Sequence, residues 1–234
     1  MPTPLEILLP VHNEAGGIRD TIREIHEVIH PQAPFQFLIC EDGSTDGTPA
    51  ILADLAQTLP IRLLPGIQRR GYSQAVLAGM RALTSPYLLC LDADGQCDPA
   101  DFGRFWEQRD RADILIGSRV HRADSALRKV LSRLFYHIYQ LFFHTPADDP
   151  SCPFLLVRKQ VVDRLLPELG VMQQGIWWEF LARAHRRGFS IRQLSVHHRR
   201  RRSGQTRIYQ LRRLPGIGYR QLAALFTIWR ETRA

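Results

Sequence analysis

Five short, mostly apolar runs alternate with stretches of helical periodicity through the first half of the chain. This alternation restricts the fold more than any other feature of the sequence. The runs are Leu5 to Pro10 (LEILLP), Phe35 to Cys40 (FQFLIC), Ile61 to Leu64 (IRLL), Pro86 to Leu91 (PYLLCL) and Ile114 to Gly117 (ILIG). Helical patterns over 17–29, 49–57 and 72–83 separate the first four. Compact apolar strands joined by helices form a sheet that is buried on both faces, because each crossover helix must lie against it. The fold class read from this pattern is α/β, with a mostly parallel central sheet flanked by helices. Ligands of such sheets bind beyond the carboxyl ends of the strands. The polar clusters of this chain follow its strands at that edge: His12-Asn13-Glu14, Glu41-Asp42-Gly43-Ser44 and Asp92-Ala93-Asp94.

The second half carries a different pattern. Leu127 to Phe143 (LRKVLSRLFYHIYQLFF) has apolar residues at helical spacing with basic residues among them. It fits a helix packed on the core and a helix facing a membrane surface equally well. Phe154 to Val157 reads as a strand, and Gly175 to His185 as a helix ended by Gly188. From Leu211 to Trp229 a second basic, apolar pattern appears, broken by Pro215 and Gly216. With no internal repeat and no linker, the expected organisation is one catalytic domain over residues 1–210 and a basic amphipathic tail over 211–234. A chain of 234 residues suits a single core of this kind. No apolar segment approaches the roughly 20 residues that span a bilayer.

Thirty-one Lys and Arg against 23 Asp and Glu give a formal charge of +8, which points to anionic partners such as a nucleotide, a lipid phosphate or nucleic acid. The basic residues gather in the C-terminal half and culminate in the run from His197 to Arg202 (HHRRRR). Most of these arginines are expected to face solvent or lipid. The four cysteines, Cys40, Cys90, Cys97 and Cys152, form no CxxC pair, and a reduced, intracellular setting is expected. The opening MPTPLEILLP lacks a basic leader and a long apolar core, so no signal peptide is expected.

Asp92 and Asp94 end an apolar run two residues apart, so in extended backbone their side chains share one face. Two carboxylates that close repel unless a cation lies between them. With Gly95 and Gln96 following, the turn offers hard oxygen ligands of the kind Mg²⁺ or Mn²⁺ takes alongside substrate phosphates. An exposed acidic turn, with Asp98 capping a helix that begins near Pro99, explains the same residues without a metal. The EDGSTDGT stretch reads as a turn and helix cap at Asp46 or Thr48, while Glu41 and Asp42 are placed to accept hydrogen bonds from a base or ribose.

Taken together, LLPVHNE, EDGSTDGT and LDADGQCDP resemble the nucleotide-sugar-binding half of the family 2 glycosyltransferases. RRGYSQAVLAG, Gly117-Ser118-Arg119, the segment from Asp148 and Asp149 to Val157, Trp178-Glu179-Phe180-Leu181 and the RRSGQT at 201–206 resemble successive motifs of polyprenyl-phosphate glycosyltransferases. The dolichol-phosphate mannosyltransferases are the best-known members. The resemblance covers about residues 5 to 208 and implies a GT-A fold. It also implies inverting transfer of a sugar, mannose or glucose by expectation, from a GDP- or UDP-sugar to a polyprenyl or dolichyl phosphate. By that match Asp92, Asp94 and Gln96 hold Mg²⁺ or Mn²⁺ with the donor diphosphate, and Pro10, Asn13, Glu14, Glu41, Asp42 and Asp92 line the donor pocket. Arg119, Arg201 and Thr206 approach the acceptor phosphate, and Asp92, Asp94, Arg119 and Arg201 form the catalytic set. Glu179 matches an acid near the acceptor side that the sequence gives no role. A cytoplasmic enzyme attached peripherally to the inner face of a membrane follows, with no nucleic acid partner.

Departures from the family pattern stand out. Glu41 replaces the usual aspartate, RGYSQA lacks the second glycine of GxGxA, and Cys152-Pro153-Phe154 replaces a glycine–phenylalanine pair. Two other readings compete. A glycan hydroxyl as acceptor would need a general base, with Glu179 or Asp149 as candidates. A non-catalytic RNA- or membrane-binding module would rest on charge alone, although aromatics are not interleaved with the arginines as stacking on single strands favours.

Overall fold

The computed structural model of the chain describes residues 3–120, 126–201 and 214–232. The five expected strands form as β1 (Leu5–Val11), β2 (Phe35–Glu41), β3 (Ile61–Leu64), β4 (Tyr87–Cys90) and β5 (Ile114–Arg119). Between them run α1 (Ile18–Ile29), α2 (Thr48–Leu55), α3 (Tyr72–Ala82) and α4 (Phe102–Gln108), the last entered through a 3₁₀ turn at Pro99–Asp101. Then follow α5 (Ala126–Phe143), β6 (Leu155–Arg158), α6 (Lys159–Leu165), α7 (Ile176–Arg186), β7 (Ile191–Val196) and α8 (Leu214–Glu231).

The strands form one sheet in the order β3-β2-β1-β4-β6-β5-β7. β1 pairs in parallel with β2 and β4, as do β2 with β3 and β5 with β7; β6 runs antiparallel between β4 and β5. The sheet is therefore mostly parallel, with one reversed strand. Its apolar residues explain its place: Leu5, Ile7, Leu8 and Leu9 of β1 are fully buried, each contributing about 1.5–3 kcal/mol. Glu6 is the exception in that strand, and its buried carboxylate accepts from the Thr84 amide at 2.8 Å and hydroxyl at 2.9 Å and from the Ser85 amide at 3.2 Å. On α1 the residues Ile18, Ile22, Ile25 and Ile29 recur at helical spacing and make the buried stripe.

Two elements escaped the sequence pattern. α6 has only seven residues and follows β6 directly, too short to display a period. β7 (IRQLSV) is an edge strand in which Val196 alone is buried, so it shows no apolar run. The reading of Pro215 and Gly216 as a break is corrected, because α8 runs through both. A proline in the first helical turn lacks only an N–H that would have had no partner there.

A second apolar cluster lies outside the sheet core. Tyr139 and Phe143 of α5, Trp178 and Ala182 of α7, Leu225 and Ile228 of α8 and Met172 are all buried in it. Residues 214–231, part of the segment expected as a tail, are thus a helix packed on α5 and α7. No helix among the described residues is long and apolar enough to cross a membrane.

Candidate active site

Reversal of strand order between β1 and β4 creates the crevice where ligands of open α/β sheets bind. Val11 stands opposite Glu41, and Leu8 opposite Cys90, so the segments that follow β1, β2 and β4 emerge along one edge.

Local geometry around the donor residues is tightly specified. Asn13 holds a left-handed φ of 54°. Its backbone amide donates to Ser44 Oγ at 2.9 Å, and its Oδ1 accepts from the Thr45 amide at 2.8 Å. The Thr48 hydroxyl accepts from the Glu14 amide at 2.9 Å, and Asp46 Oδ1 accepts from the Thr48 amide at 2.9 Å, while the N-cap position of α2 falls on Gly47 and not on the expected Asp46 or Thr48. Glu41 accepts from the amides of Ser44 at 2.5 Å, Gly43 at 3.2 Å and Gly66 at 3.4 Å. Asp42 accepts from the amides of Arg70 at 2.7 Å and Gly71 at 2.8 Å. Both carboxylates therefore order the loop between β3 and α3 over the end of β2. Close approach enforces glycine at two points: a Cβ on Gly66 would lie 2.4 Å from the Glu41 carbonyl oxygen, and one on Gly43 would lie 2.4 Å from the Gln68 carbonyl carbon. Pro10 is the sixth residue of β1 and half-buried.

Beyond β4, Asp92 accepts from the Tyr72 hydroxyl at Oδ1, 2.9 Å away, and that hydroxyl accepts in turn from Trp177 Nε1 at 3.0 Å. Burial, and then the charge of Asp94, push the Asp92 carboxyl up to about 7. Burial, and then Asp92, hold the Tyr72 phenol well above its ordinary range. Asp94 Oδ1 accepts from the Gln96 amide at 3.0 Å. The Gln96 side-chain amide donates to the Arg199 carbonyl at 3.2 Å, which leaves its Oε1 as the atom available to an ion. Asp98 caps the 3₁₀ turn as expected, accepting from the Ala100 amide at 3.0 Å.

The basic run of the C-terminal half lies against this corner. Cys97 and His198 form an antiparallel bridge, and the Arg199 amide donates to the Gln96 carbonyl at 2.8 Å. Arg199 pairs with Glu24 and Asp98, each at 2.6 Å. The His197 amide donates to Asp101 at 2.6 Å. Arg201 pairs with Glu14 and lies 3.8 Å from Asp94. The expectation that most of these arginines face solvent or lipid is corrected for Arg199, which Glu24 and Asp98 draw inward; Arg201, expected to turn to the site, pairs there with acids, and Arg200 is exposed. Burial raises the Glu14 carboxyl above its ordinary value, and Arg201 offsets this only in part.

Arg119, at the end of β5, forms a two-pronged pair with Asp149 at 2.6 and 2.7 Å and donates to Ser151 Oγ at 2.6 Å. Burial alone would lower its pKa, but the hydrogen bonds and charge of Asp149 raise it well above the ordinary value. Glu179 is fully buried in α7, where it accepts from Arg183 at 3.0 Å and from the amides of Gly170, Val171 and Met172 at 3.2, 3.3 and 2.8 Å. That saturation makes it an anchor for the turn before α7 and removes it as a base. Thr206 lies outside the described residues.

The structure brings Glu14, Asp92, Asp94, Gln96 and Arg201 together. Arg119 stands close enough to lower the Asp92 pKa by its charge. Two residues that sequence reasoning missed are Tyr72 and Trp177. Tyr72 sits inside RGYSQA, where its position at a helix start facing the strand ends was the available signal. Among the described residues no three His, Cys, Asp or Glu gather as a ready-made metal cage. The pair Asp92 and Asp94 nevertheless fits a hard divalent ion completed by water and diphosphate. Burial first and the Asp94 charge second raise Asp92, and its Oδ2 accepts no hydrogen bond among the described residues.

Residues 6–166 match the profile described as Glycosyl transferase family 2. The chain is 26% identical over 227 residues to the undecaprenyl-phosphate 4-deoxy-4-formamido-L-arabinose transferase of Enterobacter sp. (strain 638), covering 95% of this chain and 68% of that one. Its fold is similar to that of glucosyl-3-phosphoglycerate synthase from Mycobacterium tuberculosis, solved in complex with Mn²⁺, UDP-glucose and phosphoglyceric acid. That likeness has a TM-score of 0.72 and 14% identity over 97% of this chain and 80% of the other. A mannosyltransferase from Pyrobaculum calidifontis, solved with GDP-mannose and Mn²⁺, superposes with a TM-score of 0.67 and 18% identity, over 100% of this chain and 65% of its own.

Proposed function

The chain belongs to glycosyl transferase family 2 and is a glycosyltransferase of GT-A fold, and from that premise we propose that it transfers a sugar from a nucleoside-diphosphate donor to a polyprenyl phosphate, with inversion. The observation that carries this reading is the pairing of the two expected bases. Glu179 is saturated inside α7, and Asp149 is bound by Arg119 and Ser151, so neither stands ready to deprotonate a hydroxyl. An acceptor phosphate needs no such help. Its second pKa is about 6, so near neutral pH it is largely dianionic and attacks directly. The name of the Enterobacter relative, an undecaprenyl-phosphate transferase, supports the same acceptor class.

The chemistry follows from the residues. A phosphate oxygen of the acceptor forms a bond to the anomeric carbon while the bond from that carbon to the donor diphosphate breaks, and the nucleoside diphosphate leaves with the electron pair. Arg201 and Arg119 supply positive charge to the acceptor as its charge shifts, Arg119 through its remaining Nη1 because Asp149 and Ser151 take its Nε and Nη2. Asp92, Asp94 and Gln96 would hold Mg²⁺ or Mn²⁺, which when bound supplies electrophilic stabilisation to the departing diphosphate. Pro10, Asn13, Glu14, Glu41 and Asp42 line or shape the donor pocket; for Glu41 and Asp42 this includes ordering the loop over it. Thr206 joins the acceptor phosphate.

In this reading the enzyme works on the inner face of a membrane, attached peripherally, with its catalytic domain over 1–210. Support comes from exposed Leu134 and Leu141 on α5 and from Tyr219, Leu222 and Phe226 on α8, beside Arg220 and Arg230. Mannose or glucose is the proposed cargo. The test is a panel of radiolabelled GDP- and UDP-sugars, including a UDP-formamido-arabinose, offered to undecaprenyl phosphate in vesicles and to free glycans. Label in the lipid fraction supports the proposal; label only on glycans overturns it in favour of a hydroxyl acceptor.

A further inference from the structure

Tyr72 begins α3 directly after Gly71, whose φ of 98° turns the chain into the helix. One flank of the ring is open to solvent, at 37% exposure, while the hydroxyl points inward to Asp92 and Trp177. An indole N–H can only donate, so Trp177 takes the acceptor side of this hydroxyl and leaves its single proton for the Asp92 carboxylate. The contact therefore has one possible polarity. It also joins two regions distant in sequence, because Tyr72 and Trp177 are 105 residues apart. Trp177 is buried at 4% exposure at the start of α7, against Phe180, the neighbour of the saturated Glu179.

A carboxylate turns readily about its last torsion. The Tyr72 hydroxyl is the side-chain hydrogen bond that holds the Asp92 carboxylate in one orientation among the described residues, and without it that torsion is released. With that donor in place, Oδ1 is held and Oδ2 accepts no hydrogen bond from the described residues.

We propose that Tyr72 is a positioning residue that fixes Asp92 for a divalent cation, and that through Trp177 it transmits occupancy of that corner to α7. This rests on the reading that Asp92 and Asp94 hold such an ion. Groups that orient metal ligands typically contribute about 10–100-fold in affinity. Tyr72→Phe keeps the ring and removes only the hydroxyl, so apparent Mn²⁺ affinity falls by roughly that factor. At saturating Mn²⁺ the turnover number returns to within a few-fold of wild type, because excess ion selects the correct carboxylate orientation.

Mn²⁺ titration followed by electron paramagnetic resonance reads binding without activity. Tyr87→Phe serves as the control, since it deletes another tyrosine-to-aspartate hydrogen bond, to Asp110 at 2.7 Å, on an exposed part of the surface. The expected result is weakened binding in Tyr72→Phe and wild-type binding in Tyr87→Phe. Mg²⁺, which does not quench fluorescence, shifts tryptophan emission in wild type, and the shift is lost in both Tyr72→Phe and Trp177→Phe. Equal Mn²⁺ affinity in wild type and Tyr72→Phe overturns the positioning role, and an emission shift retained in Trp177→Phe overturns the link to α7. A wild type that binds no Mn²⁺ overturns the donor-site reading beneath both.

Discussion

Replacing Asp92 with asparagine should stabilise the metal-free protein at pH 8 while abolishing transfer. Asparagine keeps an oxygen for the Tyr72 hydroxyl and removes the charge that burial and Asp94 oppose. In the folded protein the carboxyl titrates at about 7 in place of 3.8, so between those values the folded state binds the proton more tightly than the unfolded chain. Stability contributed by this group therefore falls as pH rises from about 4 to 7 and is level above that. At roughly 1.4 kcal/mol per pH unit, the ceiling on the penalty is about 4 kcal/mol, of which about 2–3 kcal/mol develops between pH 5 and pH 8. For a chain of this size, each kcal/mol moves the melting temperature by about 2–4 °C. Calorimetric melting of wild type and Asp92→Asn in EDTA at both pH values reads the difference directly. The gap in favour of the variant should widen by roughly 5–10 °C from pH 5 to pH 8. A gap that is constant or narrows across that range would refute the reasoning, because the burial of a reluctant charge would then not be what the asparagine relieves.

Three further substitutions probe separate parts of the account. Arg119→Lys loses the two-pronged contact to Asp149, and kcat/KM for the acceptor should fall about 10–100-fold with donor binding unchanged, as steady-state kinetics in vesicles would read. Glu179→Gln removes one of three carboxylates around the buried Arg183, leaving Glu231 at 2.6 Å and Glu168 at 3.7 Å, and should cost about 1–3 kcal/mol in urea unfolding, with the slope unaltered. Gly66→Ala forces a methyl against the Glu41 carbonyl and should cost about 1–3 kcal/mol, with weaker nucleotide binding in a calorimetric titration because the loop over the donor pocket shifts.

The sheet half of the fold was legible because its strands are buried on both faces, and such strands announce themselves as apolar runs. β7 was not, since an edge strand in which Arg192, Gln193 and Ser195 interrupt Ile191, Leu194 and Val196 has no such mark. The strand-end clusters were legible for the same reason as the strands, since polar residues that follow apolar runs stand where a parallel sheet opens. What the sequence could not display was closure over distance. Arg201 meets Glu14 across 187 residues, and nothing local in HHRRRR says which arginines turn inward. Glu179 shows the converse. A motif match put it near the acceptor, and only its burial among three amides and Arg183 reveals an anchor.

Titration of UDP and GDP into the wild type and Asp94→Asn, with Mn²⁺ or with EDTA, tests the grip of the strand-end acids on a divalent ion most directly. One of the two nucleotides should bind the wild type at least about tenfold more tightly with Mn²⁺, a gain of about 1.4 kcal/mol, and Asp94→Asn should lose that gain. Equal binding in EDTA, by a wild type that still transfers sugar there, would contradict it.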